Sequence, residues 1–138
     1  MTREEKELLL KDICSRLPYG VWVECCGVIG KLDNIWLTHF YNGGNVVVDV
    51  NGNTDFFHDN DCFDITKIKL YLRPMSSMTE KEYEEFLNTQ SMECGDGSHP
   101  KYEYTYKTFD WLNANSFDYR GLIKKGLALE APDGMYNF

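Results

Sequence analysis

Apolar residues near the start of the chain recur every three or four positions, a helical period bounded by clear start and stop signals. Residues 2–17 are expected to form an amphipathic helix. Thr2 with Glu5 three positions on makes a capping box, and Pro18 and Gly20 end the helix. Leu10, Ile13, Cys14 and Leu17 are the expected buried stripe. From Val21 the period changes to two. Val21-Trp22-Val23-Glu24-Cys25 reads as a strand, with Trp22 facing outward beside Glu24 if Val21, Val23 and Cys25 face the core. Gly30 to Tyr41, with Leu32, Ile35, Trp36, Leu37 and Phe40, reads as a second, kinked strand, followed by the turn Asn42-Gly43-Gly44-Asn45. Val46 to Val50 is the strongest strand signal, since β-branched residues suit a pleated surface. Asn51-Gly52 fits a tight hairpin turn into a return strand over Thr54–His58, with Val46, Val48 and Val50 sharing one face. A last strand runs from Ile65 to Arg73, alternating Ile68, Leu70 and Leu72 with Lys67, Lys69, Tyr71 and Arg73, and Pro74 stops it.

The helical period then returns. Over 78–90, Thr79 as N-cap places Glu82 for a second capping box and sets Met78 against Tyr83 as a hydrophobic staple, with Tyr83, Phe86 and Leu87 as the buried stripe. Residues 91–100 have a loop composition. Tyr102, Tyr104 and Tyr106 alternate with Glu103 and Thr105, as in a short strand or the approach to a helix over 105–114. Asp118 is placed to cap a short turn through Ile123 that Gly126 ends, and the tail 131–138 is expected to be loosely held. The pattern predicts one α+β domain over residues 1–138. An N-terminal helix precedes a small curved antiparallel sheet or SH3-like barrel over 20–74, and 78–130 is mainly helical.

Charge changes the picture of what such a domain can bind. Across 138 residues, 14 Lys and Arg face 22 Asp and Glu, a formal charge of -8. Nucleic-acid binding draws most of its affinity from basic side chains on phosphates, so direct nucleic-acid binding is not expected. No apolar run approaches the length of a membrane span, and the charged start Met1-Thr2-Arg3-Glu4-Glu5 is unlike a signal peptide. The odd cysteine count, Cys14, Cys25, Cys26, Cys62 and Cys94, without Cys-x-x-Cys, fits reduced thiols in a cytoplasm.

Candidate chemistry is sparse. Asp49 to Asp64 holds five acids and no base, with His58 and Cys62 among them. This segment lacks the glycine and distal glutamate of a calcium loop. A zinc set would need His58, Cys62, Cys94 and His99 at separations with no tight pairing, so no metal is expected. His39, His58 and His99 carry no flanking signature of a cysteine or serine nucleophile. There is no phosphate-cradling loop and no H-E-x-x-H, so no cofactor, catalytic residue or enzyme activity is expected. Two candidate partner surfaces remain. Asp55, Asp59, Asp61 and Asp64 would form a negative edge that steers a basic partner, against the plainer reading of a solvated turn. Trp22 and Trp36 would form an aromatic surface, against plain packing under the terminal helices.

Three stretches together carry a resemblance: Leu17-Pro18-Tyr19-Gly20-Val21, the run from Leu70 to Glu80, and Asp110 to Ile123 continuing through Gly126 to Pro132. This pattern resembles small uncharacterised proteins carried by phages and mobile elements of gut Bacteroidales. The resemblance spans both ends and the middle junction but transfers no functional residue. It implies the cytoplasm of a bacterial host and an accessory role such as inhibiting a defence. The expected function is therefore non-enzymatic binding of a host protein, basic or nucleic-acid-binding in character. The alternatives are a small-molecule or nucleotide sponge and a metal- or thiol-dependent enzyme.

Overall fold

A computed structural model describes residues 1–25, 27–38, 45–51, 65–94 and 100–136. The first helix, α1 (Arg3–Arg16), begins as expected. Thr2 Oγ1 accepts from the Glu5 amide at 3.1 Å and Glu5 Oε1 accepts from the Thr2 amide at 3.2 Å. Its buried face differs from the expected one. Leu9, Asp12, Ile13 and Arg16 are buried, whereas Cys14 is exposed and Leu10 and Leu17 are half-buried. The helix is turned so that two charged residues go inward, because the C-terminal third supplies partners for both.

Strands β1 (Trp22–Cys25), β2 (Val28–Thr38) and β3 (Asn45–Asn51) form an antiparallel meander. Gly27, at φ +83°, stands at the β1–β2 turn, a backbone conformation that L side chains resist. The β2–β3 register shifts between Leu32 and Asn34. That irregularity lets Leu32, Ile35 and Leu37, unevenly spaced in sequence, oppose the alternate positions Val50, Val48 and Val46. The expected return strand over 54–58 and its pairing through Asn51-Gly52 lie outside the described residues.

After a short 3-10 turn, β4 (Ile68–Leu72) pairs antiparallel with β1, and Ile68, Leu70 and Leu72 are buried as the alternation predicts. The chain then forms α2 (Glu80–Thr89), the hairpin β5 (Ser91–Cys94) and β6 (Pro100–Glu103), α3 (Tyr106–Ala114) and β7 (Ala128–Glu130). The sheet order is β3-β2-β1-β4-β7, and β7 runs parallel to β4. The sheet is therefore mixed and open: among the described residues β3 and β7 are its edges, and no barrel closes. The expected loop over 91–100 is likewise corrected at its two ends, which pair as β5 and β6.

Leu9 and Ile13 of α1 cover one sheet face, packing with Val21, Val23, Leu32, Ile68, Leu70, Leu72, Leu122 and Leu127. A second cluster of Phe86, Leu112 and Phe117 joins α2 to α3. The tail is pinned where a loose one was expected. Tyr136 Oη accepts from the Trp22 amide at 2.9 Å and donates to the Tyr71 carbonyl at 2.7 Å, bridging adjacent strands. Burial pushes the Tyr136 phenol above its ordinary pKa.

The capping box at α2 also forms, and Glu82 does double service there. Its carboxylate accepts from the Thr79 amide at 3.1 Å and lies 2.8 Å from Arg73 Nη2. Burial pushes the Glu82 carboxyl up, but the Thr79 amide and Arg73 outweigh it and hold the pKa below its ordinary 4.5. A depressed folded pKa gives stability that is complete above the unfolded value and is lost as pH falls through the folded one. Glu82→Gln should therefore show a shallower loss of stability than the wild type as pH is lowered from about 5 to about 3, read as urea midpoints across that range. Equal acid slopes would show that Glu82 is not held low.

Candidate functional surface

Aromatic side chains concentrate on α2, the β5–β6 hairpin and α3. The chain of ring contacts starts deep. Phe117, fully buried, stacks on Trp111 at 5.5 Å between centroids, and Trp111 stacks on Phe86 at 5.8 Å. Arg73 lies over the opposite end, its guanidinium carbon 4.2 Å from the Phe117 centroid. From Phe86 the contacts run outward in edge-to-face pairs: Tyr83 at 6.4 Å and Tyr104 at 5.5 Å, then Tyr104 to Phe109 at 5.6 Å. Such geometry suits the quadrupoles of the rings.

The outer members of this chain are solvent-exposed: Tyr83 by 53%, Tyr104 by 46% and Phe109 by 41%. Met92, Tyr102 and Tyr106, on the adjoining strands and helix, are exposed as well. An exposed Tyr83 corrects the expected buried stripe of α2, in which only Phe86 is fully covered.

The strip stands on fixed supports. The Thr89 carbonyl at the end of α2 accepts from Thr105 Oγ1 at 2.8 Å and Thr108 Oγ1 at 3.1 Å. Those two threonines form the capping box of α3, with Thr108 in the place usually taken by Glu or Gln. Exposed rings on elements tied together in this way lose little conformational freedom on binding.

Behind the strip lies a buried charge network. Asp12 accepts from Arg16 Nε at 2.8 Å and from Arg120 Nη1 at 2.7 Å, and Arg16 Nη2 donates to the Phe117 carbonyl at 2.7 Å. The Tyr119 ring faces both guanidinium groups, at 5.2 and 4.7 Å. Arg16 Nη1 has no hydrogen-bond partner among the described residues. Asp118 caps the turn foreseen for it, accepting from the Leu122 amide at 2.8 Å and the Ile123 amide at 3.0 Å. These groups hold α1 and the C-terminal segment in place, and Asp12 and Arg16 lie too deep to meet a partner.

The sequence-derived candidates fall elsewhere. Trp22 is half-buried on β1 with Lys31 Nζ 5.4 Å from its ring, and neighbouring Glu24 accepts from Tyr71 Oη at 3.1 Å. Trp36 opposes Val47 in the β2–β3 register, further along β2 than the Lys31 position that opposes Trp22, so the two tryptophans are not register partners. Asp55, Asp59, Asp61, Asp64, His39, His58, Cys62 and His99 lie outside the described residues. Among the described residues no three His, Cys, Asp or Glu side chains converge on a point.

Two cavities lie among the described residues. One, of about 220 Å³, lies beside the tail between Arg73, Ser77, Glu130, Asp133 and Tyr136. The other, of about 500 Å³, is an open groove between α2 and the hairpin. No helix among the described residues is long and apolar enough to cross a membrane. No family model, curated protein or solved structure matches the chain.

Proposed function

We propose that this chain is a non-enzymatic accessory protein of phage or mobile-element type that binds a protein of its bacterial host. The observation that supports this reading is the exposed aromatic strip of Tyr83, Tyr104 and Phe109, anchored through Phe86 to the interior. Monomer surfaces rarely carry clustered exposed aromatics without use, and Tyr and Trp dominate the residues that hold protein interfaces together. The nucleotide-sponge alternative has weaker support: the cavity of about 220 Å³ beside Arg73 falls below the usual ~300–1,000 Å³ of small-molecule sites and carries Glu130 and Asp133, and the larger groove beside α2 carries Glu84 with no lysine or arginine to meet a phosphate.

Capture from a Bacteroidales lysate, compared between wild type and Tyr83→Ser/Tyr104→Ser, tests the proposal. Both positions are half exposed, so the variant should fold. One host protein should be retained by the wild type and bound at least about tenfold more weakly by the variant. Equal retention by both would remove the strip as the interface.

A further inference from the structure

We infer that the groove between α2 and the β5–β6 hairpin receives an arginine-bearing, basic segment of the partner; this rests on the protein-binding reading above and names the chemistry of what is bound. The groove is lined by Glu84, Leu87, Asn88, Gln90, Met92 and Tyr102, with no lysine or arginine among them. Its volume of about 500 Å³ falls within the ~300–1,000 Å³ range of binding sites. Met92 and Tyr102 are cross-strand partners in the hairpin register, which puts an apolar side chain and a ring side by side, both about half exposed.

The charge of the groove is one-sided for two separate reasons. Glu84 is exposed and makes no ion pair among the described residues. Glu80 and Lys81, one turn before it on α2, are both exposed and offset one another. The groove also sits at the C-terminal end of α2, where the helix dipole is negative, and the last turn of that helix has no basic residue to balance it. A cationic side chain entering here is drawn by a carboxylate and a helix end together.

Arginine fits this setting better than lysine. Its aliphatic stem covers Leu87 and Met92, and its planar guanidinium stacks on the Tyr102 ring while its edge donates to Glu84 and to the Asn88 and Gln90 side-chain oxygens. A lysine ammonium offers the charge without the plane.

The probes are the peptide acetyl-Gly-Arg-Gly-Arg-Gly-amide and its counterparts with both arginines replaced by lysine or by uncharged citrulline. They are titrated into the ¹⁵N-labelled full chain at low salt. The arginine peptide should shift amides of residues 84–92 and 101–103, bind at least about threefold tighter than the lysine peptide and at least about tenfold tighter than the citrulline one. Glu84→Gln should weaken the arginine peptide about threefold or more, and Tyr102→Ala should abolish the preference for arginine over lysine. Both residues are exposed, and unchanged amide spectra elsewhere confirm the fold of each variant. Shifts spread evenly over the acidic surface, or a preference that survives Tyr102→Ala, would overturn the inference. The two proposals fail separately. Loss of host capture in Tyr83→Ser/Tyr104→Ser, with no localised arginine binding, refutes the groove alone. Localised arginine binding with equal capture by wild type and variant refutes the aromatic strip alone.

Discussion

Asp12→Ala should lower the melting temperature by roughly 10–20 °C, from a cost of about 3–5 kcal/mol for stripping one partner from a buried ion pair. Asp12 is fully buried and is the carboxylate shared by Arg16, also fully buried, and Arg120. Its removal leaves the Arg16 charge inside the protein with, among the described residues, the Phe117 carbonyl and the Tyr119 ring to meet it. Arg16 Nη1 already lacks a partner among the described residues, so little local polarity is available to compensate. Asp12→Asn, which keeps an acceptor oxygen without the charge, should fall between the two. The double variant Asp12→Leu/Arg16→Met should recover part of the loss, since an apolar pair of similar size avoids desolvated charge. Recovery should be incomplete, because the Phe117 carbonyl and Arg120 each lose a partner. Thermal unfolding followed by far-UV circular dichroism measures all three. A single variant melting within about 2 °C of the wild type would mean the network contributes little beyond orientation.

The second large effect is expected at Phe117. This ring is fully buried between Trp111 and the Arg73 guanidinium, and its backbone bridges to Arg73 beside the end of β4. Phe117→Ala should cost about 3–5 kcal/mol, the sum of lost transfer energy and an unfilled cavity. Phe117→Leu should cost distinctly less. The cavity would open beneath Trp111 and Phe86, so the alanine variant should also loosen the exposed strip. Partner binding should therefore fall more in Phe117→Ala than in a surface variant of equal stability. Urea unfolding gives the first quantity, and titration with the captured host protein gives the second.

What was legible in the sequence was local. The capping boxes at Thr2 and Thr79 each rest on a residue and its third neighbour, so both were readable without knowledge of the fold. The alternation of Ile68, Leu70 and Leu72 was readable for the same reason. The face of α1 was not, because hydropathy places Asp12 and Arg16 outside. Only Arg120 and the Phe117 carbonyl, more than a hundred positions away, bring them in. Strand β7 was missed because three residues pair parallel with a distant strand and carry no period of their own. The hairpin is not legible because residues 91–94 and Pro100 read as loop until paired. At the candidate surface, the sequence displays individual aromatics but not how they meet. The tyrosines at 102, 104 and 106 stand out as an alternation, while the contact of Tyr104 with Phe86 depends on α2 packing against α3. The signal that would have drawn attention there is the run of acids Glu80, Glu82, Glu84 and Glu85 along α2, followed in the chain by the tyrosine alternation at 102, 104 and 106.

On the proposed reading, a host protein binds the aromatic strip of α2, the hairpin and α3. Amide hydrogen exchange of the chain, free and saturated with the captured host protein, tests it most directly. Slowed exchange confined to residues 80–94 and 100–110 is the expected result. Protection at residues 21–25 and 28–36, around Trp22 and Trp36, or at 55–64, with no change along α2 and α3, would contradict it.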